Sequence, residues 1–547
     1  MRRRNPRTTP ELARVVDKAL QKQPADRYRS ASAMADDLRR WLSAQAVHAK
    51  PLPLHRQLLR WSQRNPLLAW FVGFACSAAI AIAISWWRAE GALRDYRWLA
   101  TSVRVAALRS AFEDAPPAWP AHEAQYAEWR REAEILVAWL PSFERRLARL
   151  RDAATVGDDD QLIFDDTEQQ FLYEGNLENY RSLQDVAERI LPALSGQIRW
   201  ARSVEQTTIE QPADRWREVF EDLDRDPRFA ACRPVPQLGL VPLCRDPASG
   251  LWEFAHARSG SPPMLGTDGR WQMTSESSLV FVLAPPTVFM MGSQASDPNA
   301  LNFDPAAREH DGPVQRVALT EPFFLSKYEM SRAQWQRLGG KLAVTDGKDV
   351  GSDPDALRYP LIGQSFDEVL HRLQRHGLSI PTEAQWEACC RAGSQSPWSC
   401  GGDVLQVAAF ANVRDLDLFD ARDRIHPPVV PPYAQVRDGH AYHAPVGAYA
   451  SNAWGFHQMH GNVDEMCRDW FARGYDKAGP PRASDGLREA ISTARAIRGG
   501  NSLREYFKTA SGIRNAAPPA SRFRTIGVRP LRRWRDSLRN PSGLRDR

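Results

Sequence analysis

An uncharged apolar run from Pro66 to Trp87 constrains the fold of this chain more than any other feature. It reads PLLAWFVGFACSAAIAIAISWW. At about 1.5 Å per residue, a helix of this length covers roughly 33 Å, which is enough to cross the hydrocarbon core of a bilayer. Trp70 and Trp86 lie near its ends, where aromatic residues commonly meet the membrane interface. We therefore expect one transmembrane helix over 66–87, with a buried core helix as the alternative.

The composition is that of a globular protein with more than one domain. The chain has 547 residues, of which 43% are hydrophobic and 25% are charged. The formal net charge is +6, and the arginines alternate with acidic residues instead of forming a basic block. This distribution argues against a nucleic-acid partner.

Two amphipathic helices are predicted before the membrane segment. In TPELARVVDKALQK, Thr9 is a predicted N-cap and Pro10 occupies the first helical position, and a second helix is predicted after Ser30. With the linker PADRYRS, they resemble the last two helices of a bacterial serine/threonine protein kinase C-lobe, in which Arg27 matches an arginine that pairs with a buried glutamate. The resemblance implies a kinase remnant over 1–49. The kinase catalytic motifs are absent, so phosphotransfer is not expected; an unrelated helical pair is the alternative.

The kinase resemblance also sets the expected orientation. Four basic residues precede the span over 50–64 and four follow it over 88–104, so the positive-inside rule gives close to a tie. A kinase remnant would lie in the cytoplasm with the juxtamembrane segment 50–65. We therefore expect a single-pass inner-membrane protein of a bacterium, with a cytoplasmic N-terminus and an extracytoplasmic C-terminal part.

Seven cysteines would then lie mostly in an oxidising compartment. Cys232 and Cys244 are 12 positions apart and could form a disulfide there. Cys389 and Cys390 are neighbours on a predicted helix, so we expect them to be reduced core residues.

Residues 88–225 have helical periodicity and predict a helical stalk. Apolar residues recur every three or four positions from Trp129 to Leu150, a spacing typical of a helical hairpin or coiled coil, and Pro141 is expected to kink it. A second stripe from Leu177 to Leu194 could pack on the first across the acidic turn VGDDD. The pattern leaves a homodimer through this stalk open.

From about Pro234 the pattern changes to short apolar runs between turn residues. LGLVPL, DPASG and LWEF predict a β-hairpin, and Asp268 with Gly269 predicts another turn, within a β-rich lead-in over 226–278. Three later helices are predicted to begin with capping boxes and to end at glycines. The boxes are Ser331 with Gln334, Ser365 with Glu368 and Thr382 with Gln385, and the glycines are Gly339, Gly377 and Gly393. We expect an α+β domain over 279–535 and a basic tail over 536–547.

Several short motifs follow one another in this domain. They are FMMG (289–292), GPVQRVAL, FFLSKYEMSRAQW, SIPTEAQWEACCRAG, HGNVDEMCRDW (460–470), RGG and GVR. In this order they resemble the formylglycine-generating enzyme family, also called sulfatase-modifying factors. The resemblance implies a fold related to C-type lectins. It also implies, for active members, an oxidase that modifies a sulfatase cysteine with two copper-binding thiolates.

The resemblance further implies two calcium sites, because family members often hold two such ions. The first ligand set is Asn412 and Asp438 by side chain, with Val413 and His440 by carbonyl. The second is Gln458, the carbonyls of Gly461 and Val463, and Glu465. Oxygen donors of this kind suit a hard cation. Gln458 stands where Asp or Asn is usual, which weakens the second set, and in both sets the alternative is that the polar residues only cap loops.

The catalytic cysteines of the family are missing from this chain. The resemblance assigns their positions to Arg504 and Thr509. A copper(I) ion needs soft ligands, which neither a guanidinium nor a hydroxyl group provides, so copper is not expected. Asn501 and Asp464 replace a usual serine and a usual tryptophan. Cys467 is the nearest substitute thiol, but we expect it to be a buried structural residue.

Two functions fit these residues. The first is a non-catalytic ligand-binding or sensor module derived from a receptor kinase, with an anionic, peptide or protein ligand outside the cytoplasm. The surface predicted for that ligand consists of Asn501, Arg504, Tyr506, Phe507, Lys508, Arg522 and Phe523. The second is an oxidase with relocated cysteines or another metal, although the spacing of His440, His443, His457 and His460 matches no metal motif. A decayed domain without a ligand is a third interpretation.

Overall fold

The computed structural model describes residues 8–45, 47–49, 62, 65–156, 161–343, 355–423 and 434–534. The chain divides into one unit up to Ala100 and another from Thr101 onward. The predicted basic tail lies outside the described residues, as does the predicted juxtamembrane segment except for Ser62 and Asn65.

The first unit begins with the two predicted amphipathic helices, α1 (Pro10–Ala19) and α2 (Ala31–Leu42). Both N-caps are confirmed, since the hydroxyls of Thr9 and Ser30 each accept a hydrogen bond from the backbone N–H three residues further on. Arg27 donates to the backbone carbonyls that follow α1, at 2.6 and 3.3 Å. The side chain of Arg27 therefore fixes the linker between the helices.

A single long helix, α3, runs from Pro66 to Glu113. Its stretch Pro66–Arg88 has a mean hydropathy of 2.3, and none of it is buried. Within the described part of the chain, it is the one helix long and apolar enough to cross a membrane. The predicted uninterrupted helix over 66–87 is therefore confirmed, and it continues well beyond that range.

The helices that follow form the predicted helical hairpin. They are α4 (Glu123–Val137), α5 (Leu140–Asp152), α6 (Thr167–Asp185), α7 (Leu191–Glu205) and α8 (Ala213–Arg225). Because α5 packs against α6 and α4 packs against α7, the two predicted apolar stripes meet. The kink expected at Pro141 is a complete break between α4 and α5. A small ladder, β1 (Thr155–Val156) with β2 (Leu162–Ile163), flanks the predicted acidic turn, whose residues 157–160 are outside the described residues.

This helical region shares a hydrophobic core with the sheets that follow it. Trp216 on α8 packs on Phe254 with ring centroids 5.4 Å apart, and Phe254 meets Phe324 edge-on at 5.1 Å. All three side chains are buried. Aromatic pairs of this kind add about 0.5–1.5 kcal/mol beyond the burial of area. The helical region and the sheets therefore pack as one unit, and the domain boundary expected between residues 225 and 226 falls inside it.

The C-terminal region contains a five-stranded and a four-stranded sheet. The strands of the first are β3 (Leu240–Arg245), β4 (Trp252–His256), β7 (Val280–Ala284), β10 (Phe323–Ser326) and β15 (Leu531–Arg533). They pair antiparallel in the order β15-β10-β7-β4-β3. The strands of the second are β11 (Asp464–Trp470), β12 (Arg495–Arg498), β13 (Asn515–Ala517) and β14 (Ile526–Gly527), in the order β13-β12-β11-β14 with β14 parallel to β11.

Two smaller ladders complete the strands. They are β5 (Met264–Leu265) with β6 (Trp271–Gln272), and β8 (Thr287–Met291) with β9 (Gln315–Leu319). The hairpin predicted after Pro234 corresponds to β3 and β4, and Gly269 forms the predicted turn between β5 and β6. The prediction of a mixed helix and sheet domain is confirmed.

Three helices begin at the predicted caps. They are α9 (Arg332–Arg337), α10 (Phe366–Gln374) and α11 (Glu383–Arg391), capped by Ser331, Ser365 and Thr382. Gly339, Gly377 and Gly393 follow them with φ of 80°, 71° and 92°, which a residue with a Cβ atom rarely adopts. Two short helices, α12 (Val404–Val407) and α13 (Leu416–Leu418), come next.

Helix α11 contributes to a buried network of charges. Glu383 accepts two hydrogen bonds from Arg514, at 2.8 and 2.7 Å, and one from Arg498 at 3.2 Å. Glu387, one turn further along α11, accepts one from Arg498 at 2.5 Å. All four side chains are at most 1% exposed. The network joins α11 to β12 and to the segment before β13, and each buried charge depends on its partner.

All seven cysteines lie in the described part of the chain, and all are thiols. The disulfide that Cys232 and Cys244 could form is therefore not present. Cys389, Cys390 and Cys467 are fully buried, and burial raises the pKa of each thiol. The predictions of buried, reduced thiols at these three positions are confirmed.

We expect Glu383→Gln to destabilise the protein by about 3–5 kcal/mol, because it leaves the buried guanidinium of Arg514 without its anionic partner. Denaturant unfolding of the full chain in detergent at pH 7 measures the difference. Burial opposes ionisation of Glu383, but the charges of Arg514 and Arg498 lower its pKa below the usual value. The stabilisation is therefore present above the unfolded-state pKa and is lost as the pH falls below about 4, where the deficit of the variant should shrink.

Glu218→Gln is the matched control. Glu218 pairs with Arg215 at 2.8 Å on the surface, where both side chains are more than half exposed. Its loss should change the free energy of unfolding by no more than about 0.5 kcal/mol. Equal effects of the two substitutions would contradict the role assigned to the buried network.

Candidate functional site

Asp464, the first residue of β11, is the buried acid of the candidate site. Its Oδ2 accepts from Nδ2 of Asn501 at 2.5 Å and from Nε of Arg504 at 3.3 Å. Its Oδ1 is buried and has no hydrogen-bond partner among the described residues. Burial raises the pKa of Asp464, and the charge of Arg504 opposes that rise. The carboxylate therefore positions Arg504, whose side chain remains one-third exposed.

Thr509 lies at the end of the turn Tyr506–Thr509 and is fully buried. Its hydroxyl accepts from Nε1 of Trp398 at 3.1 Å and donates to the carbonyl of Tyr506 at 2.6 Å. Gly500 allows this packing, since a Cβ there would come within 2.8 Å of the Thr509 side chain. Of the two positions assigned to the lost cysteines, Arg504 is therefore partly exposed and Thr509 is internal.

The same turn forms a partly exposed aromatic surface. Tyr506 packs against Trp398 and Phe507, with ring centroids 5.8 and 5.6 Å away. Lys508 pairs with Glu505 at 2.9 Å and keeps 36% of its side chain exposed. Five of the seven residues predicted for the ligand surface thus lie on one segment, 501–508. Asn501 is only 2% exposed and donates to Asp464, so it does not reach the surface as predicted. We call Arg504, Tyr506, Phe507 and Lys508 the Arg504 surface.

Arg522 and Phe523 lie on a later loop. Arg522 pairs with Glu368 at 2.9 Å, and the carbonyl of Phe523 accepts from the backbone N–H of Gly363 at 3.1 Å. Phe523 is 48% exposed. These two residues belong to the edge formed with α10, so the predicted set divides between two loops.

The first predicted calcium set lies in one loop cluster. Asp438 accepts from the backbone N–H groups of Val413 at 2.7 Å and His440 at 3.0 Å. Burial, followed by the neighbouring charge of Asp415, raises the pKa of Asp438 to about 7. The Oδ1 atom of Asn412 is buried without a hydrogen-bond partner in the described part of the chain. The buried Oδ1 atom of Asn412 thus lacks a partner among the described residues, and burial disfavours the charged form of Asp438. A hard cation would suit both groups.

Sequence reasoning missed two acidic residues of this cluster. Carboxylate oxygens of Asp415, Asp417 and Asp438 lie within 4.8 Å of one another. The alternating DLD spacing at 415–417 was the signal in the sequence. Asp415 also caps α13 through its Oδ1, so part of its hydrogen-bonding capacity is structural.

The second predicted calcium set does not fit a cation. Both oxygens of Glu465 accept from Arg529, at 2.6 to 3.0 Å, and Oε2 also accepts from Trp386. The Oε1 atom of Gln458 accepts from the backbone N–H of Gly447. Arg529 already neutralises the carboxylate of Glu465. The side-chain oxygens of Glu465 and Gln458 are therefore engaged in hydrogen bonds within the fold and are not available to a cation at the carbonyls of Gly461 and Val463.

Ser399 and His460 form the nearest arrangement that resembles a nucleophile with a base. The hydroxyl of Ser399 lies 3.0 Å from Nε2 of His460, and the other ring nitrogen lies 2.9 Å from the Thr509 carbonyl. The backbone N–H of Ser399 donates to the same Nε2 atom. Burial lowers the pKa of His460 to about 4, so this imidazole is a weak base for removing a hydroxyl proton.

Comparison with known proteins identifies the C-terminal part of the chain. Residues 272–534 match the family described as sulfatase-modifying factor enzyme 1-like domain. This part of the chain is a sulfatase-modifying-factor-like domain. The formylglycine-generating enzyme of Thermomonospora curvata is 24% identical over 267 residues, covering 40% of this chain and 81% of that enzyme.

Two further matches extend this comparison. The serine/threonine-protein kinase pkn1 of Chlamydia caviae is 27% identical over 170 residues, which are 30% of this chain and 21% of the kinase. The chain thus spans about a fifth of that relative. Among solved structures, PvdO from Pseudomonas aeruginosa has a TM-score of 0.38 at 23% identity, covering 50% of this chain and 99% of that chain.

We expect the double variant Arg504→Cys with Thr509→Cys to bind copper(I) more tightly than the wild type or either single variant, because paired thiolates are soft ligands. Competition with a chromophoric copper(I) chelator measures the affinity of the full chain in detergent. The single variants control for one added thiol. If the double variant binds no better than they do, the assignment of the lost cysteine positions in the sulfatase-modifying-factor-like domain is wrong.

Proposed function

We propose that the sulfatase-modifying-factor-like domain is a non-catalytic module that binds a carboxylate-bearing ligand at the Arg504 surface. The observation that supports this most directly is the ion pair between Arg504 and the buried Asp464. A cationic group stands at one of the positions that the family resemblance assigns to copper-binding thiolates. Asp464 orients that group while leaving part of it exposed.

The chemistry of the surface indicates an anionic ligand with apolar parts. The guanidinium of Arg504 meets Asp464 through Nε, and a guanidinium can also bind a carboxylate through its terminal nitrogens. Tyr506 and Phe507 add aromatic faces in the same segment, and Lys508, which pairs with Glu505, adds a second partly exposed cation. An acidic peptide segment combines the carboxylate and apolar groups that this surface would recognise.

The oxidase alternative receives less support from the same residues. Copper(I) needs two soft ligands, and the hydroxyl of Thr509 is already used by Trp398 and the Tyr506 carbonyl. Cys400 packs against the cluster that includes Trp398 and Tyr506, but burial raises its pKa, so it is a thiol at neutral pH. A lone protonated thiol is a poor copper centre.

We also propose that calcium binds the first predicted set only and stabilises the loop that contains it. The ligands would be the side chains of Asn412 and Asp438 and the carbonyls of Val413 and His440, with Asp415 adjacent. A bound cation would satisfy the orphaned oxygen of Asn412 and offset the buried negative charge. Its contribution would be structural.

The membrane setting is part of the same proposal. We infer that Pro66–Arg88 crosses the inner membrane of a bacterium, with the helical pair before it in the cytoplasm and the C-terminal domain outside. The two capped helices and the similarity to the pkn1 kinase support descent from a receptor-type kinase. We propose in addition that the fold of the C-terminal domain is related to that of C-type lectins. We also propose that the protein forms a homodimer through the helical region.

Binding of a hexaglutamate peptide to the full chain in detergent tests the ligand class. Arg504→Gln should weaken binding about 10-fold or more, because it removes a charge-assisted hydrogen bond. Arg522→Gln is the matched control, since Arg522 is also exposed but lies on the other loop, where it pairs with Glu368 of α10. A wild type that does not bind the peptide, or equal losses in both variants, would count against the proposed site. Turnover of a cysteine-containing sulfatase peptide by the same preparation would establish the oxidase instead.

Calcium should raise the Tm of the wild type relative to a chelator-treated sample by roughly 2–4 °C, since a ligand that binds only the folded state stabilises it. Asp438→Asn should remove most of that shift. Asp420→Asn is the control, because Asp420 lies in the same loop region but pairs with Arg437 at the surface, at 2.7 Å. A shift that survives Asp438→Asn would assign calcium elsewhere in the protein.

A further inference from the structure

A small cavity lies where the helical region meets the sheets. Its volume, about 10 Å³ for the centre of a water-sized sphere, leaves room for one water molecule or one monatomic ion. Trp119, Trp200, His256, Arg258, Arg375 and His376 line it. The lining therefore combines cationic and aromatic side chains and contains no carboxylate.

Trp119 closes the cavity and attaches the helical region to the sheets. Its side chain is 3% exposed, and its ring packs on Gly239 and Gly377 so closely that a Cβ at Gly377 would approach it to 2.7 Å. The guanidinium of Arg532, from β15, lies over the ring at 5.2 Å from its centroid. The cavity is thus enclosed by tightly packed elements.

The two arginines that line the cavity differ from those of the buried network around α11. Arg258 donates to the amide oxygen of Gln197 and lies over Trp200, while Arg375 lies over Phe112 at 4.5 Å. No carboxylate of the described residues forms an ion pair with either of them. Burial, and then the proximity of Arg375, lowers the pKa of Arg258 to about 10. Burial and the charge of Arg372 lower the pKa of Arg375, while the charges of Glu113 and Asp114 oppose that shift. The lining of the cavity itself is therefore electropositive.

Three ring nitrogens around the cavity have no hydrogen-bond partner among the described residues: Nε1 of Trp119, Nδ1 of His256 and Nδ1 of His376. The Nε2 atom of His376 lies 3.0 Å from the carbonyl of Leu338 and so must carry its hydrogen. Its Nδ1 becomes a donor only in the imidazolium form. Burial lowers the pKa of both histidines, so their two Nδ1 atoms are acceptors in the neutral imidazoles. The indole N–H of Trp119 is the orphaned donor of the three, and a buried donor without an acceptor is costly, so this group indicates a missing acceptor.

We propose that this cavity binds a single monatomic anion, with chloride as its ligand. The guanidinium groups of Arg258 and Arg375 supply the charge, and the indole N–H of Trp119 supplies a directed hydrogen bond. The volume is too small for a polyatomic oxyanion. A bound chloride would hold the helical region against the sheets, because Trp119 comes from the helical region and both arginines come from the sheet side. The inference is independent of the ligand proposed for the Arg504 surface.

Thermal unfolding of the full chain in detergent tests the site. Chloride replaces gluconate at constant ionic strength, and tryptophan fluorescence reports the Tm. The wild type should show a saturable rise of about 2 °C or more. Arg258→Met, which keeps an unbranched apolar stem beside Trp200, should abolish the rise. Trp119→Phe, which removes the N–H donor together with part of the aromatic ring system, should shift saturation to higher chloride.

Arg199→Met is the matched control, because Arg199 is an exposed arginine on α7 beside Trp200. It should respond to chloride as the wild type does. The rise should also saturate at lower chloride as the pH falls, because protonation of His256 or His376 adds a donor while Arg258, Arg375 and Arg532 oppose that protonation. A wild type without a saturable response, which would leave water as the occupant, would overturn the proposal. So would unchanged responses in both Arg258→Met and Trp119→Phe.

Discussion

The pairing of Arg498 and Arg514 with the two glutamates of α11 is the constraint on which the C-terminal domain depends. The separate elements that supply these four side chains meet only in the folded chain, and all four are removed from water. Truncating one partner of such a pair typically costs about 3–5 kcal/mol, because a buried charge is left uncompensated. A second pair, Arg529 with Glu465, joins the last strands to β11 in the same way. Five of these six side chains lie in the short motifs of the C-terminal domain, and Arg514 lies outside them.

This arrangement separates the scaffold from the chemistry of the site. Arg498 belongs to the network, whereas Arg504, six residues later, is held by Asp464 and reaches the surface. The intervening Gly500 lets the segment fold back on Thr509. The residues at 504 and 509 can therefore vary without disturbing the paired charges of the scaffold. The same logic explains why Glu465 resembles a metal ligand by sequence position but is neutralised by Arg529 in the fold.

Features that depend on local chemistry were predictable from the sequence, and features that depend on distant partners were not. The caps at Thr9, Ser331 and Thr382 are determined within a few residues, and they were predicted correctly. The break at Pro141 was expected only as a kink, because its extent depends on how α4 and α5 pack. The role of Asp464 could not be predicted, since its partners lie 37 and 40 positions away. For the same reason Asp415 was missed beside Asp438, and nothing in the sequence indicated that Cys232 and Cys244 would form no disulfide with each other.

Buried arginines occur in two settings in this protein, and the contrast is physical. Around α11 each guanidinium has a carboxylate at hydrogen-bond distance, so burial costs are offset within the chain. Beneath Trp119, Arg258 and Arg375 rely on aromatic faces and an amide oxygen, which stabilise a cation less than a carboxylate does. Burial is costly for any charge, so water or an anion from outside the chain would stabilise the second setting. The junction between the helical region and the sheets is therefore the part of the fold whose stability should respond most strongly to the surrounding solution.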